Sequence, residues 1–279
     1  EGKLLGMDNT VSAGFDLNHS SLQHDNNTYT GNPRYVSLLS PETGFFDSDL
    51  PFIPRYRNTA DQYALFVEDR LAVTGQLSLV AGLRHDRARI RRDDLITGNR
   101  VFSRTWNSTG HRLGAVYALT PTLSVYAQHS RAADPSTAPL MMSASGAKAD
   151  MTIGRQIEVG IKQSLPQQRG EWTLAAYHIT KHNLQSSDPA NPDNSIQVGK
   201  QSSHGIEGTL SLALSSTLRL DADATVLRAR YDDFNDAVDG AIVSRSGNIP
   251  PDVPERLANL WLSWQMHPQW TLSGGARHV

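Results

Sequence analysis

The sequence contains no cysteine among its 279 residues. Disulfides, metal–thiolate sites and cysteine nucleophiles are therefore excluded. Nothing approaches the run of about 18 apolar residues that a membrane-spanning helix needs. The formal net charge of −2 gives no indication of a nucleic-acid partner. No methionine or apolar leader opens the chain at Glu1, and a strand-like pattern still runs at Val279, so we expect an internal piece of a longer protein.

Signatures of catalysis and metal binding are also missing. The chain has no GxSxG, HExxH or glycine-rich phosphate motif. Among its ten histidines, His178 and His182 are four residues apart, which on a strand separates the side chains by about 13 Å. That distance is too long for one ion. We expect no enzyme activity, no resident cofactor and no protein-bound metal.

What the chain does contain is a repeated alternation of apolar and polar residues. Between residues 156 and 185 a row of Ile157, Val159 and Ile161 interleaves with Glu158, Gly160 and Lys162. A short turn at 166–170 leads into a second strand that opens on Trp172. A period of two is typical of a β-strand whose two faces meet different surroundings.

The same unit recurs along the whole chain and predicts about eleven strands. They cover 11–17, 63–73, 77–83, 113–119, 123–127, 157–161, 172–183, 206–214, 218–226, 260–266 and 270–276. Short turns alternate with long polar segments, which we predict to be loops, at 20–60, 94–106, 132–152, 186–195 and 231–253. Short turns on one side and long loops on the other are typical of a transmembrane β-barrel.

Aromatic residues next to the short turns support the same interpretation. Tyr117, Trp172, Trp264 and Trp270 all border such turns, and aromatic rings gather at the membrane interface of a barrel. A soluble β-sandwich, with its apolar face packed on a second sheet, remains the alternative.

Several segments, in order, resemble the barrel of TonB-dependent outer-membrane receptors, specifically the ferric-siderophore group. They are residues 82–86, 119–127 leading to Pro135, 156–162, 175–184, 199–201 and 204–208, and the resemblance covers roughly residues 60 to 279. The resemblance implies an all-β, antiparallel, up-and-down transmembrane β-barrel, here partial, with about 11 of 22 strands. Residues 1–279 would form part of this single barrel domain. The plug domain that fills the family's barrels, and the segment that binds TonB, would be absent.

The resemblance further implies binding and active transport of ferric siderophores across the bacterial outer membrane. Iron would arrive already chelated. The partners would be the ferric siderophore, the outer-membrane lipid, and the TonB–ExbB–ExbD energy-coupling system through the missing N-terminal part. The alternatives are a receptor of this family for cobalamin, another metal chelate or a glycan, a passive porin, and a soluble all-β binding domain.

A ligand site in such a protein needs a wet mouth lined by aromatic rings and hydrogen-bond donors. The candidates near the outer strand ends and in loops are Arg34, Tyr35, Tyr56, Arg104, Trp106, Arg131 and Tyr231. Each could instead only pack a loop. The charged residues Glu158, Lys162 and Glu207 are expected to face the lumen, against the plug or against water.

Overall fold

The computed structural model describes residues 2–26, 39–40, 52–134, 139–188, 191–238 and 241–279. In these residues there are fourteen β-strands. They are β1 (Gly2–Leu4), β2 (Met7–Asn26), β3 (Ile53–Ala72), β4 (Leu77–Asp94), β5 (Arg100–Ala118), β6 (Leu123–Asp134), β7 (Thr152–Ser164), β8 (Gly170–Asp188), β9 (Asn191–Ala213), β10 (Leu218–Asp233), β11 (Asn235–Val238), β12 (Ala241–Ser244), β13 (Arg256–His267) and β14 (Trp270–His278). Short 3-10 helices occupy Pro139–Met141, Gly146–Lys148 and Pro166–Gln168.

Twelve strands form one sheet in the order β1 to β10, then β13 and β14. Every neighbouring pair is antiparallel, as in the pairing of Val159 with Ala127 on one side and Ala176 on the other. Strands β11 and β12 form a separate hairpin. The expected all-β, up-and-down architecture is confirmed. In the part of the chain described, no helix is long and apolar enough to cross a membrane.

The apolar rows of this sheet are exposed. Phe15, Leu65, Val226 and Ile157 keep 68, 67, 59 and 56 % of their surface accessible. The two inner faces of a soluble sandwich would bury such rows against each other. We call this side the outward face and the opposite side the inward face. An exposed apolar outward face is what a lipid-facing wall requires.

On the inward face, four glycines each lie directly opposite an aromatic residue of the next strand. The pairs are Gly14 with Phe66, Gly160 with Tyr126, Gly205 with Tyr177 and Gly275 with Trp261. A Cβ added to Gly160 would come within 2.6 Å of the Tyr126 ring. The ring therefore lies over the glycine, and this pairing of aromatic and glycine residues covers the exposed backbone.

Strands reach further into the predicted loops than the sequence indicated. Strand β2 runs to Asn26 and β3 begins at Ile53, inside the predicted 20–60 loop. The predicted 94–106 loop is wrong from Arg100 onward, where β5 begins. The predicted 186–195 loop is strand at 186–188 and 191–195, and residues 189–190 lie outside the described residues. Within 231–253, β10 continues to Asp233 and β11 and β12 follow.

The physical reason is that apolar residues are too few on either face of these strand ends to form a repeating row. Apolar–polar alternation therefore stops, although backbone pairing continues. The prediction of eleven strands also missed β1, which has only three residues. Its turn to β2 uses Leu5 and Gly6, both with positive φ, as a tight hairpin turn requires.

Candidate ligand-binding site at the inner mouth

The upper ends of β2 to β5, away from the short turns, carry a row of rings and a guanidinium on the inward face. We call this row the mouth ladder: His24, Tyr56, Arg92 and Phe102, one from each strand. The His24 and Tyr56 rings stack with centroids 4.7 Å apart. Arg92 Cζ lies 4.0 Å from the Tyr56 ring and 5.9 Å from the Phe102 ring. Contacts of this kind contribute about 0.5–2 kcal/mol, more when water is excluded.

Backbone register positions the ladder. Tyr56 pairs with His24 and Asp94 across the two neighbouring strands, and Arg92 pairs with Asn58 and Phe102. Arg92 also donates from Nε to Asn58 Oδ1 at 2.8 Å. Burial lowers the pKa of the Arg92 guanidinium, an effect that Tyr56 opposes. The guanidinium stays charged, because such a group keeps its proton in proteins.

The segment 139–151 folds onto the inward face beside the ladder. Fully buried Asn58 donates from Nδ2 to the Leu140 carbonyl at 2.6 Å and to the Met142 carbonyl at 3.4 Å. Met142 and Ala147 of the segment pack with Ala60, Ile90 and Trp106 in a small apolar core. We call this segment the mouth cover because it lies on the inward wall next to the ladder.

Arg104 and Trp106 are bonded to the mouth cover. Arg104 donates to the Ala147 carbonyl at 2.7 Å and to Asp150 at 3.1 Å. Trp106, only 5 % exposed, donates from Nε1 to the Ala149 carbonyl at 3.2 Å. Their polar groups hold the cover in place, so a ligand would meet them through the cover rather than directly.

Below the cover, charged side chains on the inward wall pair with one another. Arg84 bridges Asp16 at 2.6 Å and Asp86 at 2.8 Å. Arg112 lies 3.8 Å from Glu68 and donates to Gln128 at 3.1 Å. Two clefts of about 440 and 520 Å³ share Asp16, Arg84 and Asp86 in their lining. The wall thus offers open clefts lined by paired charges.

The three residues predicted to face the lumen lie on the inward face. Glu158 accepts from Tyr126 Oη at 2.8 Å and from Gln156 Nε2 at 2.7 Å. Lys162 lies 3.2 Å from Glu171. Glu207 pairs with Ala175 and Thr225 of the adjacent strands. Contact of any of them with a plug stays a prediction.

The predicted ligand-binding residues do not form one cluster. Tyr56, Arg104 and Trp106 come together at the mouth. Tyr231 lies at the upper end of β10, with its ring 4.6 Å from that of Phe234. Arg131 pairs with His111 on the outward face, and it donates to the Thr109 carbonyl at 2.5 Å. Arg34 and Tyr35 lie outside the described residues, and ligand contact by any of the seven stays a prediction.

Sequence reasoning missed His24, Asn58, Arg92 and Phe102. If the apolar–polar alternation is extended along each strand from its apolar row to the strand end, all four residues fall on the inward face. His24, Asn58 and Phe102 fall within predicted loops and Arg92 lies between a predicted strand and a predicted loop, so their face was not assigned. Among the described residues, no three His, Asp or Glu side chains gather in a group that could hold a metal ion.

Comparison with known proteins completes the assignment. A family model described as "TonB dependent receptor-like, beta-barrel" matches residues 2–279. The metal-pseudopaline receptor CntO of Pseudomonas aeruginosa is 28 % identical over 194 residues, covering 68 % of this chain and 27 % of the relative. The ferrichrome outer membrane transporter/phage receptor of Escherichia coli K12 is 26 % identical over 273 residues, covering 92 % and 34 %.

A solved structure shows the same fold. The siderophore receptor PiuA of Acinetobacter baumannii superposes with a TM-score of 0.81 at 18 % identity, over 99 % of this chain and 44 % of that one. The chain thus spans about a quarter to less than half of the length of these proteins. With its match over residues 2–279, the chain belongs to the TonB-dependent receptor β-barrel family, whose members are β-barrels of the outer membrane.

Proposed function

We propose that this chain forms part of the wall and mouth of a receptor that takes up ferric siderophores. One relative is named for ferrichrome, another for metal-pseudopaline, and the structural neighbour for a siderophore. A chelated metal is common to these names. The family match also argues against a passive porin, and the exposed apolar rows argue against a soluble domain.

The observation that carries the binding proposal is the mouth ladder. Tyr56, Arg92 and Phe102 form one half-buried row across three strands, in which the Tyr56 ring lies between the His24 ring and the Arg92 guanidinium. A ferric chelate has flat conjugated groups and anionic oxygens around the metal, and such groups bind to aromatic faces and guanidinium donors. Each contact is non-covalent, so release needs no chemical step.

Transport would need energy from outside this chain. TonB, driven by ExbB and ExbD, would act through a part of the receptor that this sequence does not include. Iron is cargo in this proposal and not a resident cofactor. Charged residues of the inward wall pair with one another, as Arg84 does with Asp16 and Asp86. A chelate or plug that moves past these residues would therefore meet paired charges.

A second candidate is uptake of a chelate of another metal. The observation that favours it is the identity of 28 % to the metal-pseudopaline receptor over 68 % of this chain. The two candidates share the mouth and differ in the metal carried.

The test is uptake by cells that produce the complete receptor carrying this chain and lack other siderophore receptors. Ferrichrome and a ferric catecholate labelled with ⁵⁵Fe, and pseudopaline loaded with ⁶³Ni or ⁶⁵Zn, are compared with and without tonB. We expect tonB-dependent entry of iron. Entry of nickel or zinc alone would select the second candidate, and no tonB-dependent entry of any probe would contradict both.

A variant arm locates the site. Tyr56→Leu should weaken chelate binding about fivefold, the equivalent of a lost contact of roughly 1 kcal/mol. Tyr117→Leu, on the outward face near a short turn, is the matched control and should bind as the parent does. Equal binding by both variants would argue against the mouth ladder.

A further inference from the structure

Arg92 of the mouth ladder has no acidic partner among the described residues. Its Nε donates to Asn58 Oδ1 at 2.8 Å, and its two terminal amino groups make no hydrogen bond or ion pair in that part of the chain. Four other arginines of the inward face each lie between 2.6 and 3.8 Å from a carboxylate: Arg84, Arg104, Arg112 and Arg219. A charge taken partly out of water without a partner is unfavourable, so an external anion would stabilise Arg92.

The carboxylates that follow Arg92 along the chain are bonded elsewhere. Asp93 lies 2.9 Å from Arg100. Asp94 accepts from two backbone N–H groups of the turn between β4 and β5, at 2.8 and 3.0 Å. These bonds occupy both carboxylates, and neither of them lies in ion-pair contact with the Arg92 guanidinium.

The ladder also fixes the orientation of Arg92. The side chain is half-buried, and its Cζ lies 4.0 Å from the Tyr56 ring and 5.9 Å from the Phe102 ring. A guanidinium carries five N–H donors in a planar fork, which can bind two oxygens of an anion at once. Since Nε is bonded to Asn58, the terminal amino groups are left for a ligand. A side chain ordered in advance loses little freedom when the ligand binds.

We propose that Arg92 makes the mouth selective for chelates that stay anionic after they bind the metal. Three catecholate groups leave a ferric complex with three negative charges, whereas three hydroxamate or hydroxypyridinonate groups leave it neutral. Hydrogen bonds between a guanidinium and anionic oxygens are roughly twice as strong as those between neutral groups. This selectivity rests on the proposed function and names the charge class of chelate that the mouth prefers. Chelates of other metals that keep free carboxylates belong to the same class.

The test is binding of two matched chelates to the complete receptor, purified in neutral detergent. Both are ferric complexes of one three-armed scaffold, which carries catecholate rings in the first and hydroxypyridinonate rings in the second. The rings have nearly the same shape, so the complexes differ mainly in charge. Isothermal titration calorimetry measures both dissociation constants. We expect the anionic complex to bind at least about tenfold more tightly, which corresponds to about 1.4 kcal/mol.

Substitutions assign this preference to one side chain. Arg92→Gln should weaken binding of the anionic complex about tenfold and change binding of the neutral complex by less than about twofold, because only the anionic complex loses a charge-assisted bond. Arg92→Lys keeps the charge without the planar fork and should retain a preference of intermediate size. Arg91→Gln is the matched control, since it removes the same charge from the outward face of the same strand, where Arg91 lies 3.6 Å from Asp61. It should bind both complexes as the parent does.

Three results would overturn the selectivity. Equal binding of the two complexes by the parent is the first, and it depends on no variant. Equal weakening of both complexes by Arg92→Gln would show that Arg92 acts only through Asn58 on the mouth cover. Loss of the preference in Arg91→Gln would assign it to net charge. Heat-modified gel migration checks the folding of each variant. If the parent binds neither complex and takes up none of the labelled probes, the proposed function itself is contradicted.

Discussion

Asn58 is the residue on which the mouth cover depends most. Its amide donates to the Leu140 and Met142 carbonyls and accepts from Arg92, with no exposed surface. Asn58→Ala would leave these buried partners unpaired, so we expect a loss of about 1–3 kcal/mol in stability. Deuterium exchange should rise in residues 139–151. Ser21→Ala, an exposed position on β2, is the control; unchanged exchange in the cover after Asn58→Ala would refute the assignment.

Gly160 gives a second residue-scale prediction. A Cβ there would collide with Tyr126 at 2.6 Å and displace its hydroxyl from Glu158. Gly160→Ala should therefore destabilise the receptor by about 1–3 kcal/mol, the usual cost of overpacking. Gly154→Ala on the same strand is the matched control, because its nearest neighbour would lie 4.0 Å away. The midpoint of thermal unfolding distinguishes them, and equal midpoints would contradict the steric argument.

The sequence predicts on which face of the sheet a residue lies. Alternation places Glu158 and Lys162 opposite Ile157, Val159 and Ile161, and the structure agrees. Partners were not predictable in the same way. Trp106 bonds to Ala149, 43 residues away, through an irregular segment that has no periodic signal.

At the scale of the strand, the sequence pattern predicted the parts of each strand that carry an apolar outward row. It did not predict that the strands continue beyond those rows. Residues Arg84 to Asp94 are a continuous part of β4, although both faces carry charged residues and no apolar row continues along either face. Their stability comes from backbone pairing and from cross-strand contacts such as Arg92 with Tyr56. Hydrophobic periodicity does not detect such a segment, because only Ala88 and Ile90, both on the inward face, are buried apolar residues in it.

The tip between β4 and β5 has a pH-dependent cap. Backbone N–H groups of Thr97 and Ile96 donate to Asp94 Oδ1 at 3.0 and 2.8 Å, and these bonds hold the pKa of Asp94 below its ordinary 3.8. Because the pKa of Asp94 is lower in the folded tip, its ionised carboxylate stabilises the tip at pH values above the ordinary pKa of 3.8. This stabilisation is lost as the pH falls through the lower pKa of the folded tip. The tip should thus stay ordered at neutral pH and loosen only in strong acid.

Replacement of the cap tests this. Asp94→Ala should speed deuterium exchange at the Ile96 and Thr97 amides at pH 7, with no change elsewhere in β4. Asp93→Ala is the adjacent control, since Asp93 pairs with Arg100 at 2.9 Å and not with the turn amides. Equal exchange in the two variants would show that the side chain of Asp94 does not order the tip.

At the scale of the whole molecule, the two faces of one sheet separate charge from apolar surface. Architecture was predictable because alternation, short turns and aromatic positions agree with one another along the chain. The mouth was not, because it is built by a segment folded onto several strands of the inward face.

A matched pair of arginine substitutions tests the face assignment directly. Ala222 lies at the middle of the outward row of β10, and Thr225 lies on the inward face opposite Glu207. Ala222→Arg should cost about 2–4 kcal/mol, because its charge would lie near the bilayer midplane. Thr225→Arg should cost little, because the lumen is polar and Glu207 is adjacent.

Unfolding of the complete receptor from lipid vesicles by urea gives both free energies on the same scale. The heat-modified band on a gel gives the assembled fraction independently. If the sheet were soluble and its apolar face were covered by protein, Ala222→Arg would lower the free energy of unfolding through a steric clash. That loss would be the same in detergent and in water. A lipid-facing wall instead makes the penalty depend on bilayer depth, so Leu218→Arg near the turn should cost less than Ala222→Arg. Equal penalties at all three positions would contradict the orientation of the sheet.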